Sequence, residues 1–102
     1  MTIIYYIGLN DKDTKEQEIT SMKAESILDK LFTNAYPLGF ARTNAIGRYK
    51  HNDGHIVSEE TIIYTVLDAK IVDYKLIDDI KSILNQESVA VQLITNDVVN
   101  FI

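Results

Sequence analysis

Hydrophobic positions along the chain follow two different periods. From Thr2 to Gly8 both alternating sets are apolar or aromatic, with Ile3, Tyr5 and Ile7 against Ile4 and Tyr6, which predicts a strand covered on both faces. Residues 10 to 18 contain no apolar side chain and predict an exposed loop. Helical spacing follows in Ala24, Ile27, Leu28, Leu31 and Ala35, with Thr20 or Ser21 as N-cap. This helix is expected to end near Asn34, because Pro37 cannot continue it and Gly39 supplies a flexible turn. Alternation resumes from Phe40 to Lys50, Asn52-Asp53-Gly54 signals a hairpin, and a third strand is expected from about His55 to Leu67. Asp73 then caps a second amphipathic helix through Leu76, Ile77, Ile80, Ile83 and Leu84, ending near Asn85. A fourth strand is expected from Val89 to Ile94, with a short terminal extension over Val98 to Phe101.

The predicted order β-α-β-β-α-β is the ferredoxin-like, split-βαβ pattern in one α+β domain spanning residues 1–102. It implies a four-stranded antiparallel sheet with both helices on one face. Right-handed crossovers place strands one and three in the middle, which suits their apolar character on both sides.

Turn chemistry decides what stands on the open face. A two-residue Asp53-Gly54 turn pairs Asn52 with His55 and puts Arg48 opposite Glu59. In this register Ala41, Thr43, Ala45, Gly47 and Tyr49 look toward the helices, while Phe40, Arg42, Asn44, Ile46 and Arg48 join Glu59, Ile63 and Leu67 on the open side. The open side would then be a mixed apolar and cationic patch, of the kind that marks a contact surface. The expected partner is a second copy of the chain, docking sheet to sheet as a homodimer, or a protein or small anionic ligand held by Arg42 and Arg48, whose guanidinium forks match a carboxylate or phosphate. A solvated Arg48–Glu59 pair is the plainer alternative.

Composition narrows the classes. The chain has 102 residues, 46% of them hydrophobic, and a net charge of -5, which opposes generic nucleic-acid binding. It has no cysteine, hence no disulfide framework, thiolate metal site or cysteine nucleophile. No basic segment precedes the first strand and no apolar run approaches the roughly 20 residues that span a bilayer, so a cytoplasmic, unanchored protein is expected.

Motifs for chemistry are sparse. His51-x-Asp53-x-His55 has a metal-binding composition, but the two-residue turn sends the imidazoles to opposite faces and only a three-residue loop would unite them. Asp11-x-Asp13 starts like a calcium loop and fails at Lys15, Glu16 and Met22. No phosphate-binding glycine loop or nucleophile elbow is present, and no cofactor is indicated. Gln86-Glu87-Ser88-Val89 reads as a helix-ending turn with Asn85 in the left-handed position; a functional reading puts Glu87 and Ser88 at a sheet end beside the loop after strand one.

Tyr6-Ile7-Gly8-Leu9, Ala45-Ile46-Gly47-Arg48-Tyr49 leading to Asp53-Gly54, Glu59, and Gln86-Glu87-Ser88-Val89 together resemble the uncharacterised family named domain of unknown function 3574. Tyr49 departs from the tryptophan of that family's pattern. The resemblance implies the same fold, and the short form resembles members found in phages and prophages. It implies no activity and no catalytic residue.

Two functions follow from the sequence. The first is a non-enzymatic binding protein, dimeric through its sheet and, as the resemblance implies, phage- or prophage-encoded. The second is a cofactor-free dimeric enzyme acting on a small molecule between sheet and helices, with Arg48, Tyr49 and Glu59 as its acid–base groups. A closed, aromatic-lined cavity of about 300 Å³ or more favours the enzyme and a filled core the binding protein.

Overall fold

A computed structural model describes residues 1–96, 99 and 100. The elements follow the expected order: β1 Thr2–Gly8, α1 Ser21–Ala35, β2 Ala41–Lys50, β3 Ile56–Val66, α2 Tyr74–Ile83 and β4 Ala90–Ile94. The extension expected over Val98 to Phe101 falls largely outside the described residues.

All strand pairs are antiparallel and the sheet order is β2-β3-β1-β4, so β1 and β3 are central. Their helix-side residues Ile3, Tyr5, Ile7, Ile62, Tyr64 and Val66 are almost fully buried, against Ala24, Leu28 and Phe32 of α1 and Leu76 and Ile80 of α2. Aromatic rings dominate this layer. Phe32 stacks on Tyr64 at 3.8 Å between centroids and meets Tyr5 edge-on at 5.1 Å. The buried hydroxyls are satisfied: Tyr5 and Tyr36 share a 2.5 Å hydrogen bond, and Tyr64 donates to Asp29 Oδ1 at 2.6 Å. Burial, reinforced by these partners, raises the pKa of both Tyr5 and Tyr64 well above the usual phenol range.

Both helices start as the sequence indicates. The Thr20 side chain accepts from the Lys23 amide and Asp73 from the Leu76 amide, which satisfies donors left open in the first turn. Asn85 ends the second helix with a left-handed φ of 49°.

The hairpin differs from expectation. The backbone pairs His51 with His55 through a 2.9 Å bond from the His51 amide, and Gly54 donates back to the His51 carbonyl at 2.9 Å with φ at 91°. The loop therefore has three residues, Asn52-Asp53-Gly54, closed by a glycine in a conformation that side chains disfavour. Every pairing moves by one residue, giving Arg48 opposite Ser58, Gly47 opposite Glu59 and Arg42 opposite Tyr64. In a strand, a one-residue slip turns every side chain to the other face. The β2 side chains are thus inverted relative to the two-residue-turn register, while β3 keeps its assignment.

Candidate functional site

The inversion removes the arginine surface. Arg42 lies on the helix side, with Nη1 2.7 Å from Glu25 Oε2 and Nε 3.5 Å from Asp29 Oδ1, both on α1. Asn44, on the same face, also bonds Glu25. Hydrogen bonds from Asn44 and Arg42 hold the Glu25 carboxyl below its ordinary range, and the same carboxylate raises Arg42. Arg42 fastens the edge strand to α1. Arg48 shares its face of β2, two pairs from the hairpin end and exposed to solvent. Phe40 and Ile46 leave the open side as well; Phe40 packs on Phe32 and Tyr64. The patch of apolar residues around two arginines therefore does not form.

Glu59 keeps its place on the open face, Tyr49, expected toward the helices, is brought there by the inversion, and the two line a common cavity of about 670 Å³. Three segments enclose it. The β2–β3 hairpin gives Tyr49, His51, His55 and Val57; the loop after β1 gives Asn10 to Lys12 and Lys15; the segment between α2 and β4 gives Gln86, Glu87 and Ser88. Tyr6, Gly8 and Glu59 come from the central strands.

Glycines make room for the two polar groups. A Cβ on residue 8 would overlap the carboxylate of Glu59, and one on residue 47 would come within 2.6 Å of the Tyr49 hydroxyl. The Glu59 carboxylate thus lies flat over β1, and the Tyr49 ring folds back over β2. Glu59 is half-buried, and its Oε2 accepts a 2.8 Å hydrogen bond from the Asn10 amide. Gln86 Nε2 in turn donates to the Asn10 carbonyl at 2.6 Å, so the residue whose amide orients Glu59 is also held from the segment after α2.

The polar loop after β1 is ordered by the same segment. Asp11 Oδ1 accepts the amides of Asp13 and Thr14 at 2.8 and 3.1 Å, while Asn85 Nδ2 reaches Asp11 Oδ2 at 3.0 Å and Asp13 Oδ2 at 2.9 Å. The Lys12 amide donates to the Asn85 carbonyl at 3.0 Å. These donors, Asn85 foremost, hold the Asp11 carboxyl below its ordinary range. Asn85 takes the left-handed position expected for a helix-ending Gln-Glu-Ser-Val turn, and Glu87 and Ser88 lie at the cavity beside the loop after β1. Lys12 and Lys15 gave no signal, because a run without apolar residues reads as solvated loop whether or not it walls a cavity.

The three-residue loop unites His51 and His55. Their rings stack at 4.7 Å between centroids with planes 10° apart, and Asp53 contacts His55 Nδ1. Lone pairs of stacked imidazoles run in parallel planes and do not converge on one ion. Among the described residues no cluster of three or more His, Asp or Glu is arranged to hold a metal.

No protein-family model and no curated protein matches the chain. Two solved structures share its fold. One is a phage SAM lyase in complex with S-methyl-5'-thioadenosine, 18% identical, with a TM-score of 0.61 over 88% of this chain and 76% of that one. The other is a phage SAM lyase in the apo state, 15% identical, with a TM-score of 0.60 over 88% and 75%.

Proposed function

We propose that the chain is a phage-type enzyme without a cofactor that cleaves a sulfonium nucleoside such as S-adenosylmethionine. The observation that supports this most is the open-face cavity with Glu59 fixed over Gly8. Its volume of about 670 Å³ falls within the 300 to 1,000 Å³ usual for small-molecule sites. The space between sheet and helices is filled by the core, the outcome that favours a binding protein over an enzyme acting there, and the cavity that supports the present reading lies on the opposite face and opens to solvent. The likeness to the two phage SAM lyases adds a substrate class.

The chemistry asks little of the protein. Formation of S-methyl-5'-thioadenosine from S-adenosylmethionine breaks the bond between sulfur and the amino-acid chain, and sulfur departs as a neutral thioether with the bonding pair. The carbon left behind is satisfied without an outside nucleophile, either by closure of the substrate's own carboxylate upon it or by loss of a neighbouring proton to a base. Glu59 serves both routes, as counter-charge to the substrate ammonium in the first and as base in the second. Tyr6 and Tyr49 offer aromatic surface for the cation and the nucleobase.

The test is to incubate the purified protein with S-adenosylmethionine and separate the products by chromatography. S-methyl-5'-thioadenosine is expected, and Glu59→Gln is expected to lower its formation by about 100-fold or more. Absence of that product at stoichiometric enzyme overturns the proposal.

A second reading, self-association through the sheet, keeps one favourable observation. The open face of β2 carries only Ala41, Thr43 and Ala45 before the Tyr49 ring folded over Gly47, beside Ile63 and Thr65, so another backbone meets no bulky obstacle along that stretch. Sedimentation at micromolar concentration tests it: a monomer overturns a homodimer.

A further inference from the structure

We propose that one end of the cavity is an anion subsite, in which Lys12 and Lys15 of the loop after β1 and the paired imidazoles of His51 and His55 receive the carboxylate of an amino-acid-bearing ligand. The inference rests on the sulfonium-nucleoside reading of this cavity and adds to it where the charged end of the ligand lies.

The distribution of charge carries the argument. The whole chain has 10 Lys and Arg against 15 Asp and Glu; both its histidines and two of its lysines border one cavity, together with Asp11, Glu59 and Glu87. Elsewhere Lys70 and Lys75 have carboxylates 3.4 and 2.8 Å away, while among the described residues Lys23, Lys30, Lys50, Lys81 and Arg48 form no ion pair. Among the described residues no carboxylate comes within ion-pair distance of Lys12 or Lys15; the Lys15 ammonium donates instead to the Lys12 carbonyl at 2.6 Å. The nearby Asp11 carboxylate feels the charge of Lys12 but takes its hydrogen bonds from the amides of Asp13 and Thr14 and from Asn85 rather than from an ammonium. Asp53, at the hairpin tip, is engaged by His55.

The loop is held firmly enough to present these cations. Asn85 bonds Asp11 and Asp13 on either side of Lys12, and the Asp11 amide closes the loop on the Glu16 carbonyl at 2.8 Å. Glu59, set over Gly8, supplies the opposite sign in the same cavity. A ligand with an ammonium and a carboxylate on one carbon matches this division, and the uncharged thioadenosine part leaves the cations unused.

Two probes separate the parts of the inference: S-methyl-5'-thioadenosine, which lacks the amino-acid end, and S-adenosylhomocysteine, which carries it and has no reactive sulfonium. Affinities are measured by calorimetry for the native chain and for the double variant Lys12→Gln/Lys15→Gln. Exposed ion pairs being individually weak, the variant is expected to bind S-adenosylhomocysteine about ten-fold more weakly and S-methyl-5'-thioadenosine within about two-fold of the native chain. The preference for S-adenosylhomocysteine should also shrink as salt is raised. Loss of affinity for both probes alike, or for neither, overturns the subsite and leaves the proposed function standing. Failure of the native chain to bind either probe overturns the function and the subsite with it.

Discussion

The carboxylate of Glu59 occupies the space that a side chain on Gly8 would fill, across the join between the two central strands. The strand could otherwise accept any small residue at position 8, since its backbone there is extended. Gly8→Ala is therefore expected to displace Glu59 and lower product formation by about 100-fold, as misplacement of a reacting group by about 1 Å does. The steric cost to stability is about 1–3 kcal/mol. Combining it with Glu59→Ala should return most of that stability, because the clashing atoms are gone. A double-mutant cycle read by urea unfolding checks the coupling, and additive costs would show that the two residues do not compete for space.

Asn85 joins the end of α2 to the loop after β1, and the link depends on pH. The folded chain holds the Asp11 carboxyl below its ordinary value, so folding is favoured by this group fully above the unfolded value of about 3.9 and progressively less as pH falls through the depressed folded value. Protection of the Asp13 and Thr14 amides, taken relative to the intrinsic exchange rate at each pH, should fall in acid before that of the core strands. Asn85→Gly keeps the left-handed turn and removes the side-chain donor, so it should produce the same loosening at neutral pH with α2 intact. Protection unchanged in the Gly variant would rule out the clamp.

Most of the fold was legible because β1 and β3 are apolar on both faces and both helices carry a capping residue at the observed start. The candidate site was legible in part. Tyr49 and Glu59 reach the cavity, whereas Arg42 and Arg48 do not, and the reason is a single residue in the turn. Asn52-Asp53-Gly54 suits a two-residue turn and a three-residue loop equally, and the alternation on β2 did not decide between them. One register puts small residues toward the helices; the other puts Arg42 and Asn44 there, and only the carboxylates of Glu25 and Asp29 on α1 select the second. That pairing spans elements far apart in sequence and has no local signature.

Arg42 gives a prediction that separates structure from function. Because it and Tyr64 both meet Asp29 on the helix side, their replacement should affect stability alone. Tyr64→Phe removes one hydrogen bond from a buried ring and is expected to cost about 1 kcal/mol, or roughly 4–8 °C in Tm. Arg42→Gln should lower Tm by less, since the pair is partly exposed. Neither change should alter affinity for S-methyl-5'-thioadenosine, and a loss of more than about three-fold for Arg42→Gln would return that residue to the binding site.

Gly54 closes the three-residue loop at φ of 91°, a backbone state that a Cβ disfavours, although nothing lies near enough to clash. Gly54→Ala is therefore a conformational test without a packing term, expected to destabilise the hairpin by about 1–2 kcal/mol. The consequence reaches the cavity, because the loop is what sets His51 beside His55. Relaxation of the turn should separate the stacked imidazoles, visible as a change in their ring-current shifts by NMR, and weaken a carboxylate-bearing ligand more than S-methyl-5'-thioadenosine. Gly39 also has a positive φ, at 133°, but lies before β2 at the other end of that strand. Gly39→Ala should lower stability by a similar amount and leave the histidine shifts in place, so a histidine response to both variants would mean that the hairpin tip reports general loosening of the sheet and not the geometry of its own turn.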